Sequence, residues 1–125
     1  MPTILLSGCA ILKGSEILLI HKDGKDFWEL PGGIVKSKVD IEQAAVDMSF
    51  EQIGVKPAIV QHFTILEYQK NESNIEANIF ECDVDPEAKF IPGDKVEEVK
   101  WFLISDLKEG KENIGDDVKE ILEEL

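Results

Sequence analysis

Apolar and polar positions along the chain follow two periods, and the switch between them divides the sequence into elements. Residues 3–13 (TILLSGCAILK) and 16–21 (EILLIH) are apolar runs of strand length. The Lys13-Gly14-Ser15 turn between them predicts a hairpin, and Asp23-Gly24 closes its second strand. Residues 27–30 form a brief extended piece that runs into Pro31-Gly32-Gly33, read as a tight, backbone-exposed bend. The period then becomes helical. Ala45, Val46, Ser49 and Ile53 share one broad face at 100° per residue. Asp40 is placed to cap this helix, with Glu42 and Gln43 in its first turn, Gly54 as its stop and Pro57 beyond it.

Residues 58–69 and 75–85 are rich in β-branched and aromatic side chains and flank the polar KNES turn, so they predict a long hairpin. A loop with two prolines follows over 86–95. Residues 96–104 (VEEVKWFLI) alternate, with Val99, Trp101 and Leu103 assigned to one side and Glu98 and Lys100 to the other. Val118, Ile121, Leu122 and Leu125 then fall at i, i+3, i+4, i+7 and predict an amphipathic helix with Asp116 and Asp117 at its positive end. Strands, a helix, more strands and a final helix describe an α/β (α+β) sandwich with a mixed sheet. A chain of 125 residues with no internal repeat or linker reads as a single domain, 1–125.

Charge narrows the classes of partner. The formal net charge is −13, and all 13 basic residues are Lys. Such a surface repels nucleic acid, and without Arg it has no bidentate grip on phosphate. An anionic ligand would depend on Lys, backbone N–H groups or a bound cation. No apolar run approaches the roughly 20 residues of a membrane span, and neither a basic leader nor a cleavage site opens the chain. Cys9 and Cys82 lack metal-type spacing and read as small apolar residues in a reducing, cytoplasmic compartment.

The stretch 28–55, WELPGGIVKSKVDIEQAAVDMSFEQIGV, carries a family resemblance. It resembles the Nudix box, G-x5-E-x7-R-E-U-x-E-E-x-G-U with U a bulky aliphatic residue. Gly33 takes the first glycine, Ala44-Ala45 stand where the family often has paired alanines, and Glu51, Ile53, Gly54 and Val55 match the close of the box. The flanks agree: Trp28-x-x-Pro31-Gly32-Gly33 looks like the strand and turn that open the box, and 97–107 like the family's late strand. The resemblance implies a Nudix-type α/β/α sandwich and descent from enzymes that hydrolyse nucleoside diphosphates linked to another group.

The box carboxylates are mostly replaced. Val39 and Asp47 occupy the structural Glu and Arg positions, and Met48, Ser49 and Gln52 occupy the first Glu, the aliphatic and the last Glu. Positions 48, 51 and 52 project from one helix face. In the family this cluster holds Mg²⁺ or Mn²⁺ and helps to activate water. Met is a poor partner for a hard cation and Gln cannot act as a base; loss of a general base alone costs about 10²–10⁴ in rate. Glu51 is thus the one retained box carboxylate, the candidate catalytic and metal residue, with the Gly32 carbonyl, a ligand in some relatives, as a second metal candidate. Trp28, Gly32, Gly33, Met48 and Gln52 are candidates for contact with a nucleotide-like ligand.

Three readings follow. The first is a degenerate Nudix domain, weak or inactive in catalysis, that binds a ligand or a protein. The second is an active Mg²⁺-dependent hydrolase using displaced carboxylates, from Asp47 or from Glu67, Glu72, Glu76 or Glu81 of the long hairpin. The third is a structural homodimer that buries the apolar stripe Ile41, Ala44, Ala45 and Met48. That stripe reads first as packed against protein, and alternatively as an apolar ligand cleft. Against each residue-level role stands a plain one: a solvated acidic face for Asp47 and Glu51, surface charge for the hairpin acids, core or wall for Trp28, and structural roles for His21 and His62.

Overall fold

The computed structural model describes residues 3–36 and 40–125. The element order is β1 (Thr3–Lys13), β2 (Glu16–Lys22), β3 (Trp28–Glu29), β4 (Gly32–Ile34), α1 (Ile41–Ile53), β5 (Ala58–Lys70), β6 (Ser73–Asp83), β7 (Val96–Leu103), α2 (Ile104–Lys108) and α3 (Asp116–Leu122). The strands form one mixed sheet in the order β3-β2-β1-β6-β5, with β4 also paired to β1 and β7 to β2. β1 and β6 run parallel over nine residue pairs, Thr3↔Asn74 to Ile11↔Cys82, while the remaining strand pairs are antiparallel.

The two-residue period of the strands sends apolar side chains to both faces. Ala10, Ile17, Leu19, Ala77 and Ile79 meet Leu107 of α2 and Val118, Ile121 and Leu122 of α3. Cys9, Ile11, Leu18, Ile20 and Phe80 meet Ala45 and Ile53 of α1. The sheet is thus covered on both sides, as an α/β/α sandwich requires. The stripe on α1 is largely spent inside the chain: Ala44 and Ala45 are buried, and Ser7 Oγ donates to the Ile41 carbonyl at 2.6 Å. Ile41 and Met48 of the same stripe are half-buried.

α1 starts and stops as its sequence dictates. The Asp40 carboxylate accepts from the Glu42 and Gln43 amides at 2.8 and 3.1 Å, and Gly54 closes the helix with φ 77°. The loop after β6 covers that end, with Ile91 N–H donating to the Ile53 carbonyl and Gly93 N–H to the Gln52 carbonyl. Gly93 is obligatory, because a Cβ there would sit 1.9 Å from the Glu51 carbonyl oxygen. In the long hairpin, Asn71 and Glu72 both have positive φ, the backbone of a two-residue turn matched to strand twist.

Four expectations need correction. The bend at Pro31-Gly32 is buried rather than exposed, because it lies against Ser7 and Gly8 of β1. β7 is apolar on both faces: Phe102 enters the α2–α3 core, Val99 and Trp101 the α1 side, and Leu103 at the strand end is exposed. Helix α2 is unforeseen, since five residues are too few for a period to register. The last helix ends at Leu122 rather than reaching Leu125.

Candidate ligand-binding site

The site is built around the Pro31–Gly33 turn, which separates α1 from a cavity. The turn is fixed to β1 by sterics and hydrogen bonds. Gly32 has φ 140°, and a Cβ there would meet the Ser7 carbonyl oxygen at 2.3 Å and Gly8 Cα at 2.5 Å. Cys9 N–H donates to the Pro31 carbonyl at 2.9 Å. From the other side, Gln52 grips both polar groups of Gly32. The Gly32 N–H donates to Gln52 Oε1 at 2.7 Å, and Gln52 Nε2 donates to the Gly32 carbonyl at 2.9 Å. Each donor meets an acceptor, so the pair itself fixes which way the amide points. Met48 is half-buried, with its sulfur facing Gly33 and 3.2 Å from where a Cβ would lie.

On the far side of the turn is a cavity of about 420 Å³, within the size range of small-molecule sites. Its floor is Ser7, Gly8, Ala77 and Ile79 of the sheet, its rim Pro31–Gly33, and its walls include Phe27 and Tyr68. Three Lys (22, 25, 70) and three carboxylates (Glu29, Asp116, Asp117) complete it. This balanced lining stands out on a protein of formal charge −13. Buried Glu29 is bracketed by Lys22 at 2.7 Å and Lys25 at 3.1 Å, and Lys70 pairs with Asp116 at 3.2 Å.

Asp117 is the perturbed group of this cavity. Its Oδ1 accepts from the Val118 amide at 2.8 Å, and its Oδ2 lies 3.4 Å from the Leu30 amide. Burial nevertheless pushes its carboxyl up to about 6, helped by the nearby Glu29 charge and opposed by those backbone bonds. The Tyr68 phenol is also raised, first by burial and then by Asp117, Asp116 and Glu120, so it stays a hydrogen-bond donor at neutral pH. The start of α3 is held in place by β3: Trp28 N–H donates to the Asn113 carbonyl, and Gly115 N–H to the Trp28 carbonyl.

The sequence-derived candidates thus divide between two sides of the turn. Gly32 and Gly33 line the cavity; Met48, Glu51 and Gln52 lie on the helix side. Trp28 lies outside the cavity lining, packed edge-on against Phe102 at 4.7 Å and beside His21 at 5.3 Å. Glu51 is exposed, as is Asp47, whose carboxylate accepts from Gln43 Nε2 at 2.8 Å. Val39 lies outside the described residues. Glu67 and Glu72 are exposed, while Glu76 and Glu81 are half-buried. His21 contacts Glu97 at 2.9 Å, and His62 packs on Phe80. The Cys82 thiol is pushed up, first by its contact with Cys9 and then by burial, so it remains an inert core group.

Sequence reasoning missed Phe27, Glu29, Tyr68, Lys22, Lys25, Lys70 and the cavity role of Asp117. One signal was present: Gly115-Asp116-Asp117 places two acids immediately before an apolar helical face, and only the helix start was read from it.

At positions 48, 51 and 52 the box presents a divalent cation with one carboxylate, that of Glu51. Among the described residues no three His, Cys, Asp or Glu side chains converge on a point. The Gly32 carbonyl also meets a neutral amide donor, Gln52 Nε2, on its helix side, where a cation would be served by a carboxylate. Among the described residues no helix is long and apolar enough to cross a membrane.

Comparison with known proteins gives one family and one fold. The NUDIX domain family matches residues 6–125. No curated protein matches the chain. A MutT NUDIX hydrolase from Burkholderia pseudomallei superimposes with TM-score 0.83 at 22% identity, covering 98% of each chain. The MutT protein from Methanosarcina mazei gives 0.83 at 18% identity, covering 98% of this chain and 92% of its own. An ADP-ribose pyrophosphatase from Streptococcus suis gives 0.76 at 20% identity, covering 96% and 90%.

Proposed function

Since this chain belongs to the Nudix family by a match that spans residues 6–125, we propose that it binds a nucleotide-like ligand in the cavity beside the turn and hydrolyses it weakly or not at all. The observation that carries this reading is the contrast across the Pro31–Gly33 turn. On one side is a cavity of about 420 Å³ with aromatic walls and balanced charge; on the other is a helix that keeps only Glu51 among the carboxylates expected at 48, 51 and 52.

The cavity chemistry suits such a ligand. Phe27 and Tyr68 offer faces or edges for a flat ring. Asp117, titrating near 6, accepts a hydrogen bond from a ring N–H when charged and donates to a ring acceptor when neutral. The ammonium groups of Lys22, Lys25 and Lys70 favour an anionic substituent without a guanidinium fork. On the helix side, by contrast, the described residues offer neither a cation-holding cluster nor a buried carboxylate to act as a base. Glu51 is exposed to solvent on the helix side of the turn.

A screen of nucleoside triphosphates, ADP-ribose and dinucleoside polyphosphates with Mg²⁺ and Mn²⁺ tests this, run beside the Met48→Glu, Gln52→Glu double variant. Saturable binding to the natural protein is expected, with turnover about 10²-fold or more below the variant's. Metal-dependent turnover by the natural protein that disappears in Glu51→Gln would refute the proposal and favour a working hydrolase.

A further inference from the structure

We infer that the Gln52 carboxamide is a built-in substitute for a cation: it locks the Gly32 peptide from the helix side, so the turn holds its shape without metal and the box has no divalent-metal site. This deepens the reading of the box given above, yet it does not require that the cavity bind anything.

The inference starts from pairing. Gln52 satisfies the Gly32 N–H and the Gly32 carbonyl at once, at 2.7 and 2.9 Å. A carboxylate could accept from the N–H but would turn its second oxygen on the carbonyl, an oxygen facing an oxygen. Only a proton or a cation between them removes that conflict. The neutral amide removes it with its own N–H and leaves nothing for a cation to do.

The surroundings point the same way. Gln52 is half-buried and its own backbone carbonyl accepts from Gly93 N–H at 3.0 Å, so its position on α1 is fixed from behind. One helical turn earlier, Met48 places its sulfur against Gly33, and a thioether adds no hard ligand. Glu51, the one carboxylate left at the positions 48, 51 and 52, is exposed, and its i−4 neighbour Asp47 is exposed too and accepts from the Gln43 side-chain amide at 2.8 Å. Solvated carboxylates on flexible side chains hold a divalent cation weakly. The substitutions at 48 and 52 therefore act together: one removes a ligand, and the other replaces the metal's structural contact with a hydrogen bond.

Gln52 is thus a positioning residue for the turn, and Mn²⁺ alone is a sufficient probe. Chelator-treated natural protein is titrated with Mn²⁺, followed by electron paramagnetic resonance of the free ion and by paramagnetic broadening of backbone amide signals. The natural protein is expected to show no saturable site below about 1 mM and no broadening centred on Gly32 and Glu51, with the Gln52 side-chain amide signals unchanged by chelator. The Gln52→Glu variant is expected to bind Mn²⁺ at least about tenfold more tightly, with broadening centred on Gly32. Sub-millimolar binding by the natural protein that broadens Gly32 and Glu51 overturns the inference. So does a folded Gln52→Glu variant with no gain in affinity. If that variant does not fold, the broadening pattern of the natural protein decides alone. Turnover is not read here, so hydrolysis by the natural protein would refute the proposed function without touching this result.

Discussion

Replacing Asp117 by Asn should stabilise the protein near neutral pH and leave it unchanged in the acid range. The ionised carboxylate is disfavoured in the cavity wall, which lifts its titration from the ordinary 3.8 to about 6. Two pH units at about 1.4 kcal/mol each set a ceiling of about 3 kcal/mol. The cavity is open to water, which screens the charge, so about 1–2 kcal/mol is the working figure. The sign follows from proton counts. Between pH 4 and 6 the folded state holds a proton that the unfolded chain has released, so this group's contribution to stability is greatest below pH 4, falls as pH rises to 6 and is level above it. Asn keeps an oxygen for the Val118 amide and cannot ionise. Urea unfolding of both proteins at pH 4, 5, 6 and 7 isolates the effect, because contributions from groups remote from Asp117 cancel in the difference. The stability difference should grow by about 1–2 kcal/mol in favour of the variant between pH 4 and 7. Loss of the weak 3.4 Å contact to the Leu30 amide adds only a constant offset. A difference that stays flat across this range, or that shrinks, refutes the burial argument.

Two further substitutions test the packing around α1. Gly93→Ala forces a methyl carbon onto the Glu51 carbonyl, 1.9 Å away, and should cost about 1–3 kcal/mol or more in urea unfolding; a neutral result would mean that the loop does not seat on the helix end. Ser49→Ala removes a buried hydroxyl that, among the described residues, has only the weakly pairing Cys9 thiol beside it, and should stabilise by about 1 kcal/mol; a loss of similar size would show that the hydroxyl is well paired.

Local features of the fold were legible because local chemistry specifies them. Asp40 and Gly54 delimit α1, and the polar KNES segment turns the long hairpin where the strands require it. The buried state of the Pro31-Gly32 bend was not legible, since it depends on β1 approaching from 24 residues earlier in the chain, as the Gly8↔Gly32 pair records. The cavity is non-local for the same reason: its lining draws on β1, β2, the loop before β3, the turn into β4, both hairpin strands and the start of α3. At Gln52 the spacing correctly placed the side chain on the box face, and chemistry correctly read the loss of charge. What spacing cannot convey is the direction in which an amide points, so a residue that looked like a deletion proved to hold two hydrogen bonds.

Gln52 is also where three distant segments meet: its side chain holds residue 32, its carbonyl holds residue 93, and it belongs to the last turn of α1. Segments joined through one residue cannot open independently. The amides of Gly32, Gly93 and the end of α1 should therefore exchange with solvent deuterium as one cooperative unit, at a shared opening free energy, although 61 positions separate the first from the second. The segment that borders the cavity and the loop that covers the helix would then unfold together or not at all.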